Sequence, residues 1–312
     1  SFGKGSLILF LCPSIALLDQ SIKVWCRDSE IHINPYAVVS DTGVGKEDDL
    51  NARSLLSYPA TTSAQELITA FNLDKDKLNV IFSTYQSLDV IKQAQILGLP
   101  EFDLILCDEA HRTAGVGKKE DTNFKLVHSN ENIKGKKRLY MTATPKVFDV
   151  KGEERRKIEE ENFIKIFDMN DEEIFGPKFF EYSFRKAIQE GYLSDYRIVA
   201  MELDKKEVQK ELYEYLISEG SLDVDETTKL VGLGRLVKGE VYNESDNPLD
   251  LKIKSGIVFT SKVAKSRKIA EEFPKIFQEY FKTNPPAEVK HIDGNMSAFE
   301  KKKQDRLVKR RR

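Results

Sequence analysis

The sequence predicts an α/β fold in which helices cover both faces of a parallel β-sheet. Short apolar runs of the length expected for buried strands recur through the first half of the chain. Most are followed by a segment with helical spacing, and strands that alternate with helices indicate a parallel sheet. The chain has 312 residues, which is enough for two domains of ordinary size.

The strands and helices of the first half follow from apolar runs and helix-capping residues. Leu7–Cys12 (LILFLC) is predicted to be a strand buried on both faces, and a helix is predicted to begin after Ser14. Ser63 and Glu66 have the spacing of a capping box, which predicts a helix through Phe71. The further strands predicted in this half are Tyr36–Ser40, Asn79–Ser83, Phe102–Cys107 and Arg138–Thr142.

A second domain is predicted to begin at Ser183, the expected cap of a short helix that Gly191 ends. The domains are therefore residues 1–182 and 183–312. In the second domain Gly256–Thr260 is predicted to be a buried strand. Too few strands follow to close a sheet, so this domain is expected to be incomplete. Its other predicted elements are helices at 205–219, 225–238 and 262–281, a strand at 288–292 and a capping box at Ser297 and Glu300.

Composition excludes several classes of protein. Lys and Arg number 49 against 51 Asp and Glu, so the chain has no overall basic field and would bind nucleic acid through a local surface. No apolar run approaches the roughly 18 residues of a membrane helix, so no membrane partner is expected. Cys12, Cys26 and Cys107 lack CxxC spacing and are read as buried thiols of a protein in the reducing cytoplasm.

The chemically most informative residues follow the apolar run that starts at Phe102. Asp108, Glu109 and His111 stand where this strand is expected to end, and ligands of open α/β sheets bind beyond the carboxyl ends of strands. A carboxylate there can hold Mg²⁺ through water, and a neighbouring carboxylate can activate a water that attacks a phosphate. The pattern therefore predicts the acidic half of a nucleotide-hydrolysing site. The alternative is a solvated acidic turn.

Two glycine-lysine segments look like phosphate-binding loops but do not fit the requirement. The loop is GxxxxGK followed by Ser or Thr, between a strand and a helix. In Gly43–Lys46 and Gly115–Lys118 the lysine is followed by Glu47 and Lys119, and no apolar helix follows. Both segments are predicted to be polar turns.

Asp108-Glu109-Ala110-His111 resembles motif II of the superfamily 2 helicases and translocases, in the DEAH-box form. Other segments resemble further motifs of that superfamily in the same order, and together they extend over most of the chain. These are Leu9–Gln20 (motif Ia), Ser83–Ser87 (STYQS, motif Ib), Met141–Pro145 (MTATP, motif III) and Gly256–Ser266 (motif IV).

The resemblance implies two RecA-like domains, with ATP between them and nucleic acid across both. It assigns Mg²⁺ binding, through water, to Asp108 and the role of catalytic base to Glu109. It further implies that His111, Thr142 and Thr144 couple the nucleotide site to the nucleic-acid site. The residues expected to contact the phosphate backbone of nucleic acid are Ser14, Thr84, Gln86, Ser87, Thr260 and Ser261. Each hydroxyl in these sets has the alternative role of a helix or turn cap.

The segments Asp108–Thr113, Met141–Phe148 and Phe175–Ile198 resemble the motors of restriction-modification enzymes, first the single-polypeptide type ISP enzymes and then the type I motor subunits. This resemblance implies an ATPase that uses Mg²⁺ and moves along double-stranded DNA, joined to nuclease and methyltransferase domains. In the superfamily the phosphate loop precedes motif Ia and an arginine-bearing motif comes late in the second domain. Both are expected to lie outside these 312 residues, and the segment alone is expected not to hydrolyse ATP.

Two other functions remain open at this point. One is a non-catalytic nucleic-acid-binding scaffold that retains the helicase fold without a phosphate loop. The other is a repair helicase that separates strands. A phosphate-loop sequence upstream of Ser1 in the parent gene would favour the motor, and a strand-displacement assay on the parent protein would distinguish a helicase from a translocase.

Overall fold

A computed structural model of the protein describes residues 3–39, 58–117, 122–148, 155–157, 159, 165–196, 198–204, 206, 208, 210, 212, 224–242, 248–249, 253, 256–283, 285, 288–293 and 296. The contacts within the chain divide it into two compact units, Ser1–Tyr182 and Ser183–Arg312. None of the described helices combines the length and apolarity needed to span a membrane.

A six-stranded sheet in the order β3-β2-β4-β1-β5-β7 organises the first unit, and every neighbouring pair in it is parallel. The predicted α/β fold is thereby confirmed. The strands are β1 (Leu7–Cys12), β2 (Ile33–Val38), β3 (Ala60–Thr61), β4 (Leu78–Thr84), β5 (Leu104–Cys107) and β7 (Arg138–Tyr140). The helices are α1 (Ile15–Asp28), α2 (Ala64–Ala70), α3 (Leu88–Ile96), α4 (Thr122–Lys125) and α5 (Glu172–Phe175). Short 3₁₀ helices span Tyr85–Ser87, Ala110–Thr113 and Leu126–His128.

The central strand β1 is buried along its whole length because helices cover both faces of the sheet. Successive side chains of a strand point to opposite faces. Leu9 accordingly packs with Ile91 of α3 in one apolar cluster, while Phe10 packs with Leu18 of α1 in the other. A run of six consecutive apolar residues therefore supplies two cores at once.

Serine side chains begin three helices at the predicted positions. Ser14, Ser63 and Ser183 accept hydrogen bonds from the backbone N–H groups three residues ahead, at 3.3, 3.4 and 3.2 Å. Such caps satisfy N–H groups that have no partner within the helix. The helix after Ser183 is α6 (Phe184–Gln189), and Gly191, in the left-handed region at φ 78°, follows its end.

The sheet differs from the prediction on the β3 side. Strand β2 begins three residues earlier than predicted and contains Pro35, while Ser40 lies outside the described residues. Among the described residues β3 pairs only with Ala37 and Val38, so β2 has no described neighbour on that side at Pro35, where a missing N–H donor is tolerated. The two-residue strand β3 was not predicted, since so short a segment has no periodicity of its own.

The prediction that Gly115–Lys118 is a turn was wrong for its described residues. Gly115–Gly117 forms β6, which pairs antiparallel with β8 (Lys165–Phe167) in a small separate sheet. The partner strand is about 50 residues away in sequence, so no local pattern indicates the pairing. Lys118 lies outside the described residues, as does Gly43–Lys46.

In the second unit the helices α7 (Val224–Lys238) and α8 (Val263–Phe281) agree with the predicted helices. Val231, Phe273 and Phe277 belong to the apolar cluster between them. Of the predicted helix at 205–219 only four residues are described, and Leu212 N–H donates to the carbonyl of Val208 at 3.0 Å. The capping box at Ser297 and Glu300 lies outside the described residues.

Gly256–Thr260 is not a buried strand, contrary to the prediction. Ile257 and Phe259 are 82% and 91% exposed, and no strand is assigned to either this segment or 288–292. A strand exists only when a neighbour accepts and donates its backbone hydrogen bonds. The described part of the second unit holds no strand that could pair with these segments.

Candidate nucleotide and nucleic-acid site

The acid pair lies at the carboxyl end of β5, as predicted. Asp108 N–H donates to the carbonyl of Leu11 in β1 at 2.9 Å, so the hydrogen-bond ladder holds the first acid in place. The Asp108 carbonyl in turn accepts a 2.8 Å hydrogen bond from the hydroxyl of Tyr85, whose side chain is fully buried. Tyr85 is therefore a core residue that fixes the acidic turn.

Ionisation of the Asp108 carboxyl group is less favourable in the folded protein than in water. Burial raises the pKa of its carboxyl group above the ordinary value, and the charge of Glu109 raises it further. A hydrogen bond from the Glu109 N–H to Asp108 Oδ1, at 3.0 Å, offsets part of this shift. Asp108 Oδ2 makes no hydrogen bond to the described residues. A cation beside Oδ2 would stabilise the carboxylate.

Replacement of this carboxylate is expected to increase stability. Since the pKa of Asp108 is raised in the folded state, its ionisation disfavours folding as pH rises above about 4. Asp108→Asn keeps the acceptor for the Glu109 N–H and removes the charge, so its urea midpoint at neutral pH should exceed that of the wild type. A lower midpoint would contradict this reading of Asp108.

Asp103, at the other end of β5, provides a control because its pKa is shifted in the opposite direction. Burial acts to raise its pKa, but the ammonium of Lys136 and the N–H of Leu7, at 2.7 and 2.9 Å, outweigh burial and lower it. Asp103→Asn removes the same charge from a carboxylate that the fold stabilises. It should lower the urea midpoint at neutral pH.

Glu109 adopts a backbone conformation that is unusual for its residue type. Its φ and ψ are 50° and 45°, in the left-handed region, where residues other than Gly, Asn and Asp are rare. Strain of this kind, roughly 1–3 kcal/mol, is concentrated at functional sites. The turn carries the chain from β5 into the 3₁₀ helix at Ala110–Thr113. It also leaves the Glu109 side chain 40% exposed, so water can reach the carboxylate.

Nδ1 of His111 lies within reach of three oxygen atoms. Thr142 Oγ1 is at 3.0 Å, Glu109 Oε2 at 3.2 Å and Thr144 Oγ1 at 3.4 Å. One ring nitrogen can donate a single hydrogen or accept one, so it cannot bond all three oxygens fully. The arrangement allows His111 to exchange partners between Glu109 and the two threonines.

Strand pairing brings these two segments together. β5 and β7 are neighbours, and beyond their ends the Ala110 N–H donates to the carbonyl of Met141 at 2.9 Å. Thr142 Oγ1 also accepts a hydrogen bond from the Thr144 N–H at 3.1 Å. The alternative role as a turn cap is thus present for Thr142, together with the contact to His111.

A second group of predicted residues lies at the ends of β1 and β4, which are also neighbours. Ser14 is exposed, and its side chain caps α1, which is the alternative role that the sequence allowed for it. Thr84 and Ser87 are buried, and their hydroxyls bond each other at 2.8 Å instead of capping a helix. Gln86 is partly exposed, but its Oε1 is buried without a partner among the described residues.

Thr260 and Ser261 lie in the second unit, directly before α8. Thr260 Oγ1 donates to the carbonyl of Lys262 at 3.1 Å, and the side chain of Ser261 is exposed. Neither is the N-cap of α8, a position that Lys262 occupies without a side-chain cap bond.

Sequence reasoning missed His128, which ties the acidic turn to β7. Its Nε2 lies 3.3 Å from the carbonyl of Thr113 and must carry a hydrogen, because a carbonyl only accepts. Its Nδ1 therefore accepts the hydroxyl hydrogen of Tyr140, at 3.0 Å. Phe167 and Phe175 pack on the same ring, and burial lowers the pKa of His128 to about 4. An isolated histidine between Val127 and Ser129 gives no signal of these contacts.

The cysteines agree with the prediction of buried thiols in two of three cases. Cys12 and Cys107 are buried, and burial raises the pKa of each thiol to about 12. Thiols with such a pKa are poor nucleophiles at neutral pH. Cys26 is only partly buried.

The described residues contain no group of three or more His, Cys, Asp or Glu side chains that could hold a metal ion. Mg²⁺ at nucleotide sites is usually held by one or two carboxylates together with water and phosphate oxygens. The assignment of this role to Asp108 stays a prediction.

Comparisons with known proteins show similarity to restriction enzymes and to a helicase. Residues 2–147 match the family described as "Type III restriction enzyme, res subunit". A "Probable helicase" of African swine fever virus, Badajoz strain, is 23% identical over 266 residues, which are 85% of this chain and 25% of the relative. This chain therefore spans about a quarter of the length of that curated relative.

Two solved structures are similar over 97% of this chain. One is described as the "ATP-dependent Type ISP restriction-modification enzyme LlaBIII bound to DNA", with a TM-score of 0.76 and 32% identity over 20% of that chain. The other is a nuclease-deletion mutant of the type ISP enzyme LlaGI in complex with a DNA substrate mimic, with a TM-score of 0.61 and 29% identity over 19% of that chain.

Proposed function

From the premise that this chain is a superfamily 2 helicase-type motor segment of the restriction-enzyme group, we propose that the full-length protein is an ATP-dependent translocase on double-stranded DNA. The observation that carries the proposal is the strand-end pair Asp108 and Glu109, linked through His111 to Thr142. The recognised motifs and the solved relatives agree with that premise. They make a motor a better explanation of this pair than a solvated acidic turn.

The two acids have separate roles in this proposal. Asp108 would hold Mg²⁺ through water. Its Oδ2, which makes no hydrogen bond to the described residues, and its raised pKa both favour a bound cation. A Mg²⁺ ion bound there would supply the positive charge that neutralises the β- and γ-phosphates of ATP. Glu109, which is more exposed, orients the attacking water and accepts its proton.

His111 connects hydrolysis to movement. While Glu109 is ionised, its Oε2 competes with the hydroxyls of Thr142 and Thr144 for the ring nitrogen. Once Glu109 has accepted a proton it is a weaker hydrogen-bond acceptor, and the hydrogen bond between His111 and the threonines is favoured. The segment after β7 can therefore respond to the state of the nucleotide.

DNA contacts are proposed at the hydroxyl and amide groups beyond β1 and β4 and before α8. Ser14, Gln86 and Ser261 are at least partly exposed and can donate to phosphate oxygens without reading bases. Thr84 and Ser87 are bonded to each other and would have to exchange partners to do so. Thr260 completes the proposed set.

The second unit is proposed to be the second RecA-like domain of the motor, and the remaining parts of the full-length protein to include nuclease and methyltransferase domains. The chain spans about a fifth of the solved type ISP enzymes, which leaves room for such domains in a protein of that kind. A cytoplasmic location is also proposed, and the free thiols of Cys12, Cys26 and Cys107 are consistent with a reducing compartment.

The test is a translocation assay with the full-length protein. With ATP and Mg²⁺ it should displace a third strand from a DNA triplex without separating the two strands of the duplex. Separation of the duplex strands would indicate a helicase instead, and DNA binding without ATP turnover would indicate a scaffold.

A further inference from the structure

Three lysines converge on the small β6–β8 sheet that follows the acidic turn. Nζ of Lys125 and Nζ of Lys165 lie 5.3 and 5.5 Å from the ring centre of Phe167. Lys125 also donates to the carbonyl of Val116 in β6 at 2.8 Å. Lys146 Nζ lies beside Gly115, within 3.1 Å of the point a β-carbon there would occupy.

Backbone hydrogen bonds hold the segments of Lys146 and Lys165 against β6 and β8. Gly115 is opposite Phe167 and Gly117 is opposite Lys165 in the antiparallel ladder. The carbonyl of Lys146 accepts a 3.2 Å hydrogen bond from the Met169 N–H, just after β8. Gly115 has a φ of 131°, which is strained for any side chain, and its missing side chain leaves space for the Lys146 ammonium.

Two of the three lysines, Lys146 and Lys165, form no ion pair with the described acids. No described carboxylate lies within ion-pair distance of Lys146 or Lys165, both of which are exposed. Asp168, the nearest acid in sequence to β8, is buried and accepts N–H groups of Phe148 and Asn170. The positive charges of Lys125 and Lys165 also contribute, after burial, to the low pKa of His128.

The same surface adjoins the turn at the end of β4. Phe124, next to Lys125 in α4, stacks on Tyr85 with ring centres 5.4 Å apart. Asn123 Nδ2 donates to the carbonyl of Gln86 at 3.3 Å. Lys125 thus lies on a helix that packs directly against a proposed DNA-contacting turn.

We propose that Lys125, Lys146 and Lys165 form a second contact surface for the phosphate backbone of double-stranded DNA, continuous with the turn at Tyr85–Ser87. The proposal rests on the proposed function and adds residues that the helicase motifs do not contain. Lysine ammoniums at fixed positions suit phosphate oxygens, whose binding requires charge and not base recognition. His128 stacks on Phe167 and bonds to the carbonyl of Thr113, so the surface is also in contact with the segment that follows the acidic turn.

The test is binding of the full-length protein to a duplex of random sequence, without ATP, over a range of salt concentrations. Each lost phosphate contact should make the slope of log K against log salt shallower by about 0.9. The variant K125Q/K146Q/K165Q should therefore have a slope shallower by about 2 to 3. It should also bind roughly 100-fold more weakly at about 0.1 M salt.

A matched control removes three exposed lysines from the amino-terminal edge of the sheet. Lys4 precedes β1, and Lys134 and Lys137 precede β7. K4Q/K134Q/K137Q changes the net charge equally and should leave the slope almost unchanged. The charge-conserving variant K125R/K146R/K165R should keep the wild-type slope, which separates loss of charge from loss of folding.

Equal slopes for the two glutamine variants would overturn the proposal. Weaker binding with an unchanged slope would also overturn it, since the lysines would then act through folding. If the wild-type protein bound no duplex at all, the proposed function itself would fail. If the wild type bound duplex with the expected salt dependence and the three substitutions did not change the slope, this inference would fail while the proposed function stood.

Discussion

Glu109→Gln in the full-length protein is expected to reduce DNA-stimulated ATP turnover by about two to four orders of magnitude, the usual contribution of a general base. Glutamine has the same shape and can occupy the same left-handed turn at no greater cost than glutamate. It cannot accept a proton from the attacking water. ATP binding should persist, because Asp108 and its backbone hydrogen bonds are unchanged. Single-turnover hydrolysis and equilibrium nucleotide binding measure the two effects separately.

Glu101→Gln is the matched control for this substitution. Glu101 is exposed and lies before β5, whereas Glu109 follows its other end, so the same chemical change is made at opposite ends of one strand. Turnover should stay at the wild-type level in this variant. If Glu109→Gln also turned over ATP at nearly the wild-type rate, the assignment of Glu109 as the base would be wrong.

Acidification is expected to destabilise the first unit through His128. The pKa of its imidazole is about 4 in the folded protein against 6.5 as the ordinary value. The unfolded chain therefore binds a proton below pH 6.5 that the folded protein does not. The stability due to this group is complete above about pH 6.5 and is lost as pH falls towards 4. The full effect is roughly 3 kcal/mol at 1.36 kcal/mol per pH unit, of which about 2 should be lost by pH 5.

Urea unfolding at pH 7 and pH 5 measures this contribution. His128→Phe keeps a ring between Tyr140 and Phe167 but cannot be protonated, so it should be less stable at pH 7 and lose less stability on acidification. His32→Phe, at an exposed position, should retain the wild-type difference between the two pH values. The same pH dependence in His128→Phe as in the wild type would exclude His128 as its source.

Much of the first unit could be predicted because its signals are local. The six apolar residues of β1, the serine caps and the acid pair after β5 are each readable within a few residues. The resemblance to the helicase superfamily also grouped Thr142 with His111 as coupling residues. The structure brings these two side chains to 3.0 Å. Their roles in coupling stay predictions.

The second unit was less predictable because a strand depends on contacts that are not local in sequence. Helices α7 and α8 have internal hydrogen bonds, and their pattern sufficed to predict them. Gly256–Thr260 has the composition of a strand, but composition does not supply the neighbour that a strand needs. Phe259, predicted to be buried, is instead among the most exposed apolar residues described.

The sequence by itself determined the α/β fold, the caps of the helices and the position of Asp108 and Glu109 at a strand end. Only the tertiary structure decided how the segments after β5 and β7 meet. The β6–β8 pairing, the bonds of His128 to Thr113 and Tyr140 and the clustering of three lysines all join residues distant in sequence. Such contacts form because buried polar groups must find partners wherever the folded chain supplies them, and sequence spacing does not encode that choice.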